Sequence, residues 1–474
     1  MSLRPKTERK GFAWSEVFRV GPQAPQGTDT SFGKAPSETN PFATSQQHHC
    51  VWLHRVVTQP ELARRLGTRD AVIIGLGSML GAGVFAAFSP AASVAGAGLL
   101  IGLAIAAFVA YCNATASAQL AAQYPTSGGT YIYGRERLGP WWGFLAGWGF
   151  VVGKIASCAA MALTFAAYVA PRGWERPVAI AAVIILATVN YYGITRTAGL
   201  TKIIVGIVIA TLALVVAASL SSGIRAPIES RDLLAEGWYG IVQSAGLLFF
   251  AFAGYARIAT MGEEVREPER TIPRAILTAL TIVVLIYLVV GVSILIVLGP
   301  AGVAVSRAPL AAAVDAVGWE WASLPVRLGA AAAALGALLA LIAGVSRTTL
   351  AMARQDDFPQ WLAAVHERHQ VPHHADVAVA GLVCALILLT DLRDAIGFSS
   401  FGVLLYYLIA NAAAYTQTSD RRRFPRALQI MGMIGCTVLV VTLPWTAVLG
   451  GILIFAIGIV YRAIRVRYLR ARSS

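Results

Sequence analysis

Apolar stretches long enough to cross the ~30 Å hydrocarbon core of a bilayer recur along this chain from about residue 70 to its end. They fall at about 70–95, 98–122, 141–169, 177–194, 199–221, 239–261, 275–298, 325–352, 376–390, 397–417, 428–443 and 446–463, the ninth and eleventh being the shortest. Of 474 residues, 57% are hydrophobic and only 13% charged, too little polar surface to cover a water-soluble globule of this size. Lipid offers no partner to an exposed N–H or C=O, and the stretches are continuous, unlike the alternating ~10-residue strands of a barrel. The reading is an all-α polytopic membrane protein with about twelve transmembrane helices.

Basic residues orient it. Arg135, Arg137, Arg266, Arg270, Arg274, Arg421, Arg422, Arg423 and the closing run from Arg462 to Arg472 flank one side, while the opposite loops hold scattered arginines such as Arg172, Arg307 and Arg393. Both termini are therefore expected in the cytoplasm, with the chain passing many times through the cell membrane. A net charge of +14 then reads as topology and contact with anionic lipid, not as a nucleic-acid surface. Residues 1–60, rich in Pro, Gln, Ser, Thr and Gly, read as a disordered cytoplasmic N-terminal tail without a cleavable signal, and 465–474 as a basic cytoplasmic C-terminal tail. The cysteines fall in spans or in the N-terminal tail, so no disulfide framework is expected.

Within the first span, GLGSMLGAGVF (75–85) carries Gly75, Gly77, Gly81 and Gly83. Each glycine costs ~1 kcal/mol of helix propensity relative to alanine, so the run is either a close-packing face or a place where the helix comes apart. Five spans further on, FAFAGYARIAT (250–260) supplies a second weak point, with Gly254 followed by Arg257. An offset of about 173 residues between the two, with five spans in each half, fits a 5+5 inverted repeat: 68–222, 238–418, and two extra helices at 428–463. Helices 1 and 6 are then the broken ones. Such breaks free N–H groups on one half-helix and C=O groups on the other, and together these can hold a zwitterion without any charged side chain.

GLGSMLGAGVF, SAQLAAQYPTSGGTYIYGRERLGPWWGFLAGW (117–148), FFAFAGYARIATMGEEVREPERTIPRAI (249–276) and SRTTLAMARQDDFPQWLAAVH (346–366) occur in that order. In them the chain resembles the amino acid-polyamine-organocation superfamily of amino acid permeases, from about Leu62 to the C-terminus. The resemblance implies the inverted-repeat transporter fold over 61–464, with the substrate between helices 1 and 6. By that analogy a substrate carboxylate would meet the N–H groups of Gly81, Ala82 and Gly83. The ammonium would meet carbonyls around Met79 and Leu80 and those of Phe252, Ala253 and Ile258, with Tyr255 as the aromatic residue that closes over the substrate. Gly81 and Gly83 are thus expected to lack side chains for the substrate's sake, leaving Gly75 and Gly77 to packing.

Lys154 lies near the middle of the third span, ~20 Å from either interface, out of reach of snorkelling. Some permeases of the resembled family carry a membrane lysine in the fifth helix in place of sodium; here IIVGIVIAT (203–211) has none, and Lys202 lies near the cytoplasmic end. Lys154 is therefore the candidate for coupling to a proton, or else a structural cation held by helix-end carbonyls. Arg257 either anchors its span at the interface or pairs with an acid. Glu263 and Glu264, in the run GEEVREPERTIPR (262–274), are gating or anchoring candidates by resemblance and otherwise a solvated face. The histidines of HERHQVPHHAD (366–376) match no standard metal spacing, and no metal or other cofactor is expected.

No Asp or Glu occupies the middle of a span, which leans against a cationic substrate. The expectation is a secondary transporter of a neutral amino acid, with proton coupling favoured over sodium. A cationic amino acid or polyamine carrier, and a membrane sensor that binds without transporting, remain as alternatives. An enzyme is disfavoured because every histidine lies outside the spans. The expected partners are a small-molecule amino acid and the lipid bilayer, with no nucleic acid; oligomeric state is open.

Overall fold

A computed structural model describes residues 66–126, 128–193, 198–221, 223, 226 and 230–473. The expected N-terminal tail lies outside them. The described chain is helical: α1 (Thr68–Met79), α2 (Ala82–Ala86), α3 (Phe88–Ala95), α4 (Leu99–Gln123), α5 (Thr130–Leu138), α6 (Pro140–Val169), α7 (Glu175–Tyr191), α8 (Ala198–Ser221), α9 (Gly237–Phe252), α10 (Ala256–Ala259), α11 (Pro268–Val305), α12 (Pro309–Ala316), α13 (Glu320–Arg354), α14 (His373–Leu389), α15 (Leu392–Tyr415), α16 (Arg426–Thr442) and α17 (Trp445–Ser473).

Nine helical runs among the described residues are long and apolar enough to cross a bilayer. The fourth, ninth and eleventh expected spans are α7, α14 and α16, each 17 residues and so ~26 Å long. Two short helices, α5 and α12, lie in connections where the apolar pattern gave no sign of them. Residues 465–473, expected as a tail, prolong α17. The protein is a multi-pass, all-α membrane protein, and its interruptions fall in the first and sixth spans, as the five-plus-five reading expects.

The core is built from small residues. Helix α6 packs against α13 and α15, and Gly149 and Gly153 meet Gly402 and Ser399 backbone to backbone. A Cβ on Gly402 would stand 2.7 Å from the Gly149 carbonyl, so bare backbone is what lets α6 and α15 approach. Polar cross-links fix the register of these apolar faces: Ser157 meets Ser399 at 2.6 Å, and Asn411 donates to Asn113 at 2.6 Å.

One buried charge ties the end of α13 to two distant helices. Asp356 takes a left-handed φ of 60°, and the chain reverses so that the Asp357 N–H bonds the Met352 carbonyl at 2.8 Å. The Asp357 carboxylate is fully buried. It accepts from the Tyr131 hydroxyl at 2.7 Å, from Arg135 at 3.2 Å and from Arg462, whose guanidinium also lies over the Phe144 ring. Helix α17, only 22% buried over its most apolar window, is otherwise peripheral.

Removing one partner of a buried ion pair strands the other charge and costs about 3–5 kcal/mol, whereas an exposed pair contributes about 0–1. Asp357→Ala should therefore lower the unfolding temperature in detergent strongly. Asp356→Asn, which removes the half-exposed ion pair with Arg465 and keeps a residue that tolerates the left-handed φ, should lower it little. Equal effects would contradict this division.

Candidate functional site

The first span comes apart where its glycines cluster. Leu80 still bonds the Leu76 carbonyl at 2.7 Å, but Gly81, at φ −65° and ψ −132°, leaves the helix, and α2 starts afresh at Ala82. The N–H groups that open α2 lack intrahelical acceptors, and the Met79 carbonyl at the end of α1 faces inward. The sixth span does something different: α9 ends at Phe252, Ala253–Tyr255 tightens into a 3-10 turn, and α10 resumes at Ala256. It is therefore interrupted by tightening and not by an open unwound segment.

The two interruptions touch. A Cβ on Gly254 would collide with the Ser78 carbonyl, and one on Gly83 would stand 2.6 Å from the Ala251 Cα. Between them sits Tyr287 of α11, fully buried, whose hydroxyl lies 2.6 Å from the Met79 carbonyl and 3.1 Å from that of Ala251. A hydroxyl has one proton, so it donates to one carbonyl at a time and leaves the other short of a donor. Its ring packs on Phe252 with centroids 5.2 Å apart.

Lys154 reaches the same place from α6. Its ammonium is buried and donates to the Ala253 carbonyl at 3.4 Å, which Tyr407 of α15 also approaches at 3.4 Å. The lysine thus lies at the 3-10 turn of the sixth span. Tyr255 is buried and stacks on Tyr407, centroids 5.0 Å apart.

Of the expected site residues, Met79, Leu80, Gly81, Gly83, Phe252, Ala253, Tyr255 and Ile258 are all buried, and Ala82 opens α2. Two placements differ from expectation. The Ile258 carbonyl already accepts the Met261 N–H at 3.2 Å, and the Ile258 side chain fills the space beside Gly75. The division of the glycines also changes: a Cβ on Gly81 would stand 2.6 Å from the Ala337 Cβ, so Gly81 and Gly83 are close-packing positions just as Gly75 and Gly77 are.

At the far ends of α1 and α10 the segments are stitched together. Leu66 and Val265 form a parallel bridge, with Leu66 N–H on the Glu264 carbonyl at 3.1 Å and Arg266 N–H on the Leu66 carbonyl at 2.9 Å. Glu264 acts here through its backbone, and Glu263 beside it is half-buried. Lys202 pairs with Asp70 of α1 at 2.8 Å, and Tyr133 of α5 donates to the Ala259 carbonyl at 3.3 Å. Arg257 is half-buried, with Glu264 and Arg347 as the charges acting on it.

Tyr287 went unnoticed in the sequence, although a hydroxyl in the middle of an apolar span was a signal that could have raised it. Asp376 was missed at the edge of the ninth span: it is 1% exposed and accepts from Asn190 of α7 at 2.8 Å. The histidine loop packs as rings, with His366, His369 and His373 around Tyr191.

Residues 66–467 match the family described as amino acid permease. The chain is 56% identical over 415 residues to an uncharacterized transporter of Mycobacterium tuberculosis, covering 87% of this chain and 94% of that one. It is 24% identical over 433 residues to a branched-chain amino acid permease of Bacillus subtilis, covering 85% and 93%. To a chloroplastic cationic amino acid transporter of Arabidopsis thaliana it is 26% identical over 423 residues, covering 82% and 72%. With family motifs, interrupted first and sixth spans and these relatives in agreement, the chain belongs to the amino acid permease family.

Proposed function

We propose that the protein is a secondary active transporter that carries a neutral amino acid across the cell membrane by alternating access, coupled to protons, with both termini cytoplasmic. The observation that carries this reading is the contact between the interruptions, where the Met79 and Ala251 carbonyls converge on one shared hydroxyl beside the N–H groups of Gly81, Ala82 and Gly83. An ammonium has three protons to offer where Tyr287 has one, so it satisfies both carbonyls, while a carboxylate suits the positive end of α2. In a dry site these neutral dipoles act strongly on a zwitterion.

Lys154 supports a neutral substrate and a coupling proton. A cation already stands at the sixth-span turn, and a second one on the substrate side chain would meet repulsion and no carboxylate in the set of contacts around the two interruptions. The branched-chain permease among the relatives fits this. The cationic transporters among them keep a cationic substrate as the second reading. A non-transporting sensor would bind the same ligand and accumulate none.

Purified protein in liposomes, with an inward pH gradient and inside-negative potential, should accumulate one or more neutral amino acids from a panel of the twenty and common polyamines. Lysine, arginine or polyamine uptake alone would overturn the neutral reading, and binding without accumulation would leave a sensor. Lys154→Met should abolish gradient-driven accumulation while exchange of amino acid across the membrane continues; accumulation at the wild-type rate would remove Lys154 from coupling.

Gly81→Ala should cut uptake at least about 10-fold, the size of effect expected when about 1.4 kcal/mol of binding is lost. Adding Ala337→Gly should restore thermal stability without restoring uptake. Recovery of both together would leave Gly81 a purely packing residue.

A further inference from the structure

Helix α13 runs from the interruptions to the membrane surface. Its Ala337 packs on Gly81, and at 1.5 Å per residue Arg347 lies ~15 Å and Arg354 ~26 Å further along the axis. Both arginines line a cavity of about 250 Å³ between α13 and α5, with Tyr131, Ile132, Leu350 and Gln355. The opposite wall belongs to α5, the helix that holds the Ala259 carbonyl of the sixth span through Tyr133. The cavity therefore lies between two elements that both touch the interrupted spans, on the side that the positive charge marks as cytoplasmic.

No acidic side chain among the described residues lines this cavity. Among the described residues, Arg347 and Arg354 form no ion pair, in contrast to Arg135 on α5, which is spent on Asp357. Arg257, on the α10 half of the sixth span, likewise has no ion pair there, and the charges acting on it are Glu264, which attracts it, and Arg347, which repels it. Asp376, the acid on which Arg347 acts, is held by Asn190. Arginines at a helix end serve topology in general. Topology alone does not place two of them on one helix face, lining a cavity whose described walls carry no acidic side chain. Both arginines are exposed at the cavity, and like charges lining one cleft raise the local concentration of anions by about 10-fold or more.

We propose that this cavity is the cytoplasmic mouth of the transport pathway, and that Arg347 and Arg354 make it select by charge. It draws the carboxylate end of an amino acid and holds off amino acids that carry a cation on the side chain. The inference rests on the transport reading above and names the residues that set its substrate class from the cytoplasmic side.

Two measurements test it together. The first places a single cysteine at Ala351→Cys, between the two arginines, in full-length protein whose own cysteines are replaced. It compares the rates of modification by an anionic sulfonatoethyl thiosulfonate and a cationic trimethylammonium-ethyl thiosulfonate. The ratio of anionic to cationic rate should fall at least about 10-fold when Arg347→Gln and Arg354→Gln are added. The second measures inhibition of neutral amino acid uptake by lysine at the cytoplasmic face. Lysine should inhibit at least about 10-fold better in that double variant than in wild type. Arg347→Lys with Arg354→Lys should restore exclusion, because charge and not the guanidinium fork is what counts. An unmoved reagent ratio, or a moved ratio with unchanged lysine exclusion, would overturn the inference. Wild-type protein that moves no amino acid would instead overturn the transport reading on which it rests.

Discussion

The rest of the structure depends on two helix interruptions being pressed together in a medium that offers the freed backbone no water. The Met79 and Ala251 carbonyls share one donor, Tyr287 from α11, and the Ala253 carbonyl is met by Lys154 from α6 and Tyr407 from α15. An unsatisfied carbonyl in hydrocarbon costs several kcal/mol, so these side chains fix where α6, α11 and α15 stand relative to the broken spans. Those donors are also the groups a substrate ammonium would replace or join. On the proposed reading, helix packing and ligand recognition would draw on the same atoms.

Charge is distributed in keeping with that arrangement. At the 3-10 turn of the sixth span stands buried Lys154, with half-buried Arg257 just beyond it on α10. Acids are held at the ends of helices by partners of their own: Asp70 by Lys202, Asp357 by Tyr131, Arg135 and Arg462, Asp376 by Asn190. Arg347 and Arg354, beside the cavity between α13 and α5, form no ion pair among the described residues. A carrier for a dicationic or tricationic substrate would be expected to spend its acids the other way, inside the route and not at its borders.

Much of the fold was legible because lipid makes the pattern strong: long apolar runs fix helices, and four glycines in eleven residues locate the first interruption. The sixth interruption was located by Gly254, but its form was not. Gly254 is bare because the Ser78 carbonyl presses on it, and a 3-10 turn suffices for that contact. Spacing along one helix also does not reveal that Ala337 and Ala251 press on Gly81 and Gly83. Tyr287 and the Asp357 cluster were hidden for a related reason. Their partners lie 208 and 105 residues away in the chain, and a single sequence carries no record of which distant residue meets which.

On the proposed reading, backbone atoms at the two interruptions hold both ends of an amino acid. Determining the structure of the protein with a transported neutral amino acid bound tests it most directly. The expected result is the carboxylate within hydrogen-bonding distance of the N–H groups of Gly81–Gly83, and the ammonium on the Met79 and Ala251 carbonyls with the Tyr287 hydroxyl turned to accept or displaced. A ligand bound elsewhere, or one whose carboxylate rests on an arginine side chain while the interruptions keep their present contacts, would contradict it.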